Sequence, residues 1–259
     1  MFSRLFARIA AAEPAPPWSI IAALLTVVAA FITVIIGSTL SSILTGQAQH
    51  TLLLGWCIAA ALTIALIELT RRRTEERLAL RIAPSANPLQ DTFWYLLIGV
   101  GLAITLDLVG RGITRSVAPD LELTPLYTYT RLYGEPVAFF SWLLAFLLMA
   151  LLQPIAEGLV FQGMLLPALR HQLGGWLGYL LTAAAVGLFH MLVYPPAFPE
   201  STSGLWYGFV APFIAALLYG AVRLYTGSTR AAIFTHVAFG LFAVLKLLTL
   251  VGGSSAAGL

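Results

Sequence analysis

Seven apolar runs dominate the chain, and each is close to the length of a membrane-crossing helix. They lie roughly at 18–44, 51–69, 93–110, 137–163, 175–194, 205–225 and 229–251. About 20 apolar residues at 1.5 Å per residue cross a hydrocarbon core about 30 Å thick. Charge is scarce: 10% of residues are charged and 59% are hydrophobic, with a mean hydropathy of +0.91. An average soluble domain carries about 25% charged residues. This balance excludes a soluble enzyme, a disordered chain and a nucleic-acid-binding domain. The expected fold is all-α, a polytopic transmembrane helical bundle of about seven spans, with about six to eight the range the length allows.

The charges that remain sort by side. Arg71, Arg72, Arg73, Arg77 and Arg81 crowd the loop after the second run. Basic loops stay in the cytoplasm. Alternation then groups Arg4, Arg8, Arg170, Arg223 and Arg230 with them, against Arg111, Arg115 and Arg131 on the far side. The N-terminus is therefore expected to be cytoplasmic, in an integral protein of the cell (plasma) membrane. Residues 1–17, with Arg4 and Arg8 among apolar residues and then Pro14, Pro16 and Pro17, read as an amphipathic interfacial segment. Residues 18–259 read as a single membrane-embedded domain. Gly174 and Gly178 read as a close helix contact. The only cysteine, Cys57, permits no intrachain disulfide.

Ionisable groups inside the runs are costly and point to function. Glu68 lies beside the Arg loop and reads as solvated. Asp107 reads as an i,i+4 partner of Arg111. Lys246 is long enough to snorkel outward. The outer loop 111–136, with Asp120, Glu122, Tyr127, Tyr129, Tyr133 and Glu135, reads as a connection with interfacial tyrosines, the alternative being an aromatic collar or a lid. Glu157, His190 and His236 are the Glu and His side chains set well inside apolar runs, on three different spans. They form a shared site, a proton path, or separate structural contacts.

Their surroundings are specific. Glu157 lies in Pro154-Ile-Ala-Glu157-Gly158-Leu-Val-Phe161-Gln162-Gly163, His190 ends Val186-Gly-Leu-Phe-His190, and His236 follows Gly227-Ser228. Together these resemble the CPBP family of intramembrane proteases, which includes the type II CAAX prenyl endopeptidases and bacteriocin-processing and self-immunity proteins. The resemblance covers about 137–250. The family pattern is Glu-Glu-x-x-x-Arg-Gly, then Phe-x-x-x-His, then Gly-Ser with a later His-x-x-x-Asn or Asp. This chain departs from it at Gly158, Gln162, Val186 and Gly240.

The resemblance implies that Glu157 activates a water, that His190 shares it or protonates the leaving amine, and that His236 donates to the oxyanion. Gln162 and Gly240 occupy the supporting positions. No cofactor is favoured; the alternative is a zinc ion on Glu157, His190 and His236, since one carboxylate and two imidazoles can bind zinc. The partners implied are the lipid bilayer and a membrane-associated peptide or protein substrate, with no nucleic acid. The function expected is an intramembrane endopeptidase of the CPBP type. The alternatives are a non-catalytic relative that binds a membrane partner in immunity or regulation, and a small transporter. Depth poses one difficulty: Glu157 and His190 lie far from the turn at 171–174, whereas His236 is six residues past Arg230. An end of the fourth span at Gly163 and Pro167, leaving 164–173 at the interface, would reconcile them.

Overall fold

The computed structural model describes residues 2–46, 48–83, 86–115, 117–194 and 202–256. Met1 and 257–259, the outer ends of the N-terminal segment and of the membrane-embedded domain, lie outside them. Among the described residues all regular structure is helical, and seven helices are long and apolar enough to cross a membrane. They are α2 (Ile20–Thr45), α3 (Thr51–Thr70), α5 (Pro88–Thr114), a fourth span over Phe139–Leu173, α10 (Gly175–Val193), a sixth span over Thr202–Thr226 and α13 (Thr229–Ala256). Short α1 (Phe2–Ala10), α4 (Thr74–Ala79) and α6 (Thr124–Tyr133) flank them.

The ends follow local chemistry. The Ser19 side chain accepts from the Ala22 amide and starts α2, as a hydroxyl at an N-cap does. Pro88 opens α5, where its missing N–H costs nothing. Helices α2 and α3 pair closely, as do α5 and α13, while α10 lies against the sixth span. Apolar side chains of α2 such as Ile21, Leu25, Ile35 and Ile43 face outward, which suits a hydrocarbon solvent.

The fourth span is the most buried of the seven and is continuous. It runs as α7 (Phe139–Leu147), a π-helical stretch Leu148–Leu152, α8 (Gln153–Glu157), a second π stretch Gly158–Leu165, and α9 (Leu166–Leu173). The sixth span is built the same way, from α11 (Thr202–Leu205), a π stretch Trp206–Val210 and α12 (Ala211–Thr226). Each π stretch runs directly into a proline: Pro154, Pro167 and Pro212 are each the second residue of the α segment that follows. A proline inside an α-helix lacks a donor and clashes with the carbonyl four residues back. A π turn re-registers those carbonyls by one residue, so the helix passes the proline. The expectation that Gly163 and Pro167 end the span is therefore corrected.

The depth difficulty is resolved elsewhere. Helix α13 begins beside Gly163 rather than beside the 171–174 turn, because Thr229 Cγ2 lies 3.6 Å from where a Gly163 Cβ would stand. The Thr229 amide donates to the Arg81 carbonyl, so the α4 connection fills the space below. Ile233 then faces Gly158, and His236 reaches the level of Glu157.

The N-terminal segment is locked to this end of the bundle. Arg170 donates to the carbonyls of Arg8, Ile9 and Ala11, and Arg8 donates to those of Leu224 and Tyr225. Buried Glu13 meets Arg223 at 2.7 Å and Arg81 and Arg170 at 3.2 Å each. Burial pushes the Glu13 carboxyl up, but the guanidiniums, Arg223 foremost, hold it below the usual carboxylate range. Arg8, Arg81, Arg170 and Arg223, grouped on one side by the sequence, thus meet at one end.

Candidate active site

Glu157 ends α8, where the first π stretch and Pro154 have turned the helix. Its Oε2 lies 3.1 Å from His190 Nε2, and its Oε1 accepts from Gln153 Nε2 at 2.9 Å. Glu157 and Gln153 are four residues apart, so they share one helix face. His190 lies near the end of α10, with its ring 5.2 Å from that of Tyr194. All three side chains are buried.

His236 arrives from α13 and stacks on Tyr219, with ring centroids 4.7 Å apart and 22° between planes. A pocket of about 10 Å³ is lined by Glu157, Gln162, Tyr219 and His236. That is about the room one water needs. A larger cavity of about 60 Å³ runs from His190 and His236 to Asp107, Asp120 and Lys246. The structure therefore brings Glu157, His190 and His236 to one place.

The supporting positions differ in fate. Gln162 is buried and lines the small pocket, and its Oε1 accepts no hydrogen bond among the described residues. Gly240 lies outside the site chemistry. A Cβ there would stand 1.9 Å from the Met149 carbonyl oxygen, so the residue serves helix approach. Gly158 is similar, with a Cβ 2.3 Å from Ile233 Cγ1. Gly178 packs against α9, as expected, whereas Gly174 makes the turn at φ 86°.

Two residues of this site were not legible from intramembrane charge alone. Gln153 is uncharged. Glu122 belongs to the outer loop, and the structure corrects the reading of that loop as a simple connection. Tyr129 and Tyr133 do lie outside, with Tyr133 exposed and the two rings 4.6 Å apart. Leu121–Leu123, in contrast, forms a buried 3-10 turn. Glu122 Oε1 accepts from Gln153 Nε2 at 2.8 Å and lies 3.3 Å from His190 Nδ1. The available signal was the alternation Leu121-Glu122-Leu123 before Thr124-Pro125, two apolar flanks ahead of a helix start.

Lys246 is corrected as well. It does not snorkel but is buried, 2.6 Å from Asp107 and 3.3 Å from Asp120. Asp107 does pair with Arg111, at 2.7 Å. Burial pushes the Asp120 carboxyl up, with Lys246 pulling against it and Glu122 and Asp107 adding to the rise. Glu68 pairs with Arg77 at 2.6 Å in a half-exposed contact.

Both ring nitrogens of His190 face carboxylate oxygens. Among the described residues no group of three or more His, Cys, Asp or Glu is arranged to hold an ion.

Residues 139–242 match the family model of the type II CAAX prenyl endopeptidases, Rce1-like. Over those residues the chain is similar to this family. The match includes Glu157, His190 and His236, and the seven apolar spans make the chain an integral membrane protein. Glu122, Asp107, Asp120 and Lys246 lie outside the Rce1-like segment. No curated protein and no solved structure matches the chain significantly.

Proposed function

We propose that this protein is an intramembrane endopeptidase that hydrolyses a peptide bond of a membrane-associated protein or peptide. The observation that carries the reading is the one-water pocket between Glu157 and His236, with His190 on Oε2 of Glu157. Glu157 takes a proton from a water held there as the water oxygen bonds to the scissile carbonyl carbon. His236, across the pocket, donates to the carbonyl oxygen as it gains charge. His190, held between two carboxylates, supplies a proton to the amine nitrogen as the C–N bond breaks. The proton that Glu157 took then passes to His190 across their contact, restoring both groups, so the net change adds one water across the C–N bond to give an acid and an amine. Because both ring nitrogens of His190 face carboxylates, we take the reaction to run without a metal or other cofactor.

The test uses the full chain in lipid nanodiscs and a diverse peptide library, with cleavage read by mass spectrometry. Wild type is expected to cut a defined subset, and Glu157→Gln to lose about 100-fold or more of the rate while keeping its fold. Equal cleavage by the two proteins overturns the reading. Such a result would leave a non-catalytic partner-binding relative, which the closed Gly158 and Gly240 positions favour.

A further inference from the structure

We infer that Glu122 is the second carboxylate of this site, a positioning residue for His190, and that a buried Asp107–Lys246–Asp120 cluster delivers it there. The inference rests on the proteolytic reading for its kinetic consequence but not for its geometry. The matched segment has no carboxylate next to Glu157, because position 158 is glycine. No side chain fits there: Ile233 fills the space that a Cβ would take. The charge is instead supplied from outside the matched segment, across 31 residues of sequence from Gln153.

The geometry is that of a clamp. One carboxylate lies on each ring nitrogen of His190, Glu157 at 3.1 Å from Nε2 and Glu122 at 3.3 Å from Nδ1. Gln153 Nε2 donates to both carboxylates, at 2.8 and 2.9 Å. Opposite an ionised carboxylate a ring nitrogen carries the hydrogen, so the doubly protonated ring satisfies both contacts. Glu122 thus fixes the orientation of His190 and keeps on it the proton that the leaving amine needs.

The loop reaches this depth for physical reasons. Leu121 and Leu123 are buried in the main core and flank Glu122. Asp120, one residue earlier, accepts from Lys246 Nζ, which also contacts Asp107 of α5 and lies 5.1 Å from the Tyr207 ring. One ammonium on α13 therefore ties the loop to α5. Without it Asp120 would face Asp107 and Glu122 across a buried cavity with no cation of its own among the described residues.

Two isosteric pairs isolate the charge. Glu122→Gln keeps the shape and the contact with Gln153. Its kcat is expected to fall by about 10- to 100-fold with KM within about threefold, since only the proton-transfer step is touched. Unchanged kcat overturns the inference. So does a loss of kcat that comes only with raised KM and lowered thermal stability, which would mark Glu122 as a packing residue. If Glu122→Gln does not fold, Glu122→Asp against Glu122→Asn decides: the charged member should turn over faster, and equal rates overturn the inference.

A second readout does not need turnover. In protein labelled with ¹⁵N-histidine, both ring nitrogens of His190 should carry protons at neutral pH. The Nδ1 signal should shift in Glu122→Gln while those of His50 and His171 stay. A singly protonated His190 in the wild type, or an unmoved Nδ1, overturns the inference. Should the wild type cleave no peptide, the proposed proteolysis fails and this spectrum still judges Glu122.

Discussion

Two glycines show how a single residue decides what the site can hold. At Gly240 the Met149 carbonyl stands where a Cβ would be, and at Gly158 the Ile233 side chain does. Restoring the family's residues should therefore harm this protein. Gly240→Asn is expected to destabilise by about 1–3 kcal/mol or more through overpacking, seen as a lower unfolding temperature in detergent, with no gain in turnover. A faster and equally stable Gly240→Asn would show that α13 can move off Met149. Gly158→Glu meets a side chain rather than backbone, so Ile233→Ala in the same protein should recover part of its loss. That recovery, measured as a double-mutant cycle, is the coupling expected of residues in direct contact.

At the scale of elements, the seven spans were legible because apolar run length is set by bilayer thickness, and no tertiary detail is needed to read it. Glu157, His190 and His236 were legible because ionisable groups are rare in such runs. What the sequence hid was geometry that depends on other elements. Pro167 argues for a helix end in isolation, yet the π stretch before it carries the helix on to Leu173. Arg170 and Arg223 look like loop charges, but both are fully buried on the N-terminal segment through Glu13. Removing that carboxylate leaves buried guanidiniums unpaired, so Glu13→Gln should cost roughly 3–5 kcal/mol. It should also free α1 to protease digestion. The folded-state value of Glu13 is depressed. Its stabilisation is thus present above the ordinary carboxyl value, about 4.3, and is lost as pH falls through the lower folded value. Wild type should lose stability on acidification through that window, and Glu13→Gln should not show this component. An identical acid response in both proteins would assign the loss to other carboxylates.

Across the whole molecule, one end of the bundle gathers basic side chains, and we propose that this decides the side on which it faces the cell. One end gathers Arg8, Arg81, Arg170 and Arg223, with exposed Arg73 nearby. The other carries the α6 end, where Leu132 and Tyr133 are exposed. Cytoplasmic retention of basic segments places the first end, and with it the N-terminus, inside. This orientation is our proposal, and it can be tested without any substrate. Cys57 is buried, so it contributes little background to thiol labelling. A membrane-impermeant maleimide applied to intact cells should label Leu132→Cys but not Arg73→Cys. Permeabilisation should then make Arg73→Cys reactive. Efficient labelling of Arg73→Cys in intact cells would invert the bundle and place the Glu122 loop on the cytoplasmic side. The direction matters for mechanism, because the larger cavity extends from His190 toward Asp120 and Lys246, the end that carries that loop. In the proposed orientation a substrate approaching through this cavity meets the Lys246 cluster before it meets Glu157, and it does so from the non-cytoplasmic side.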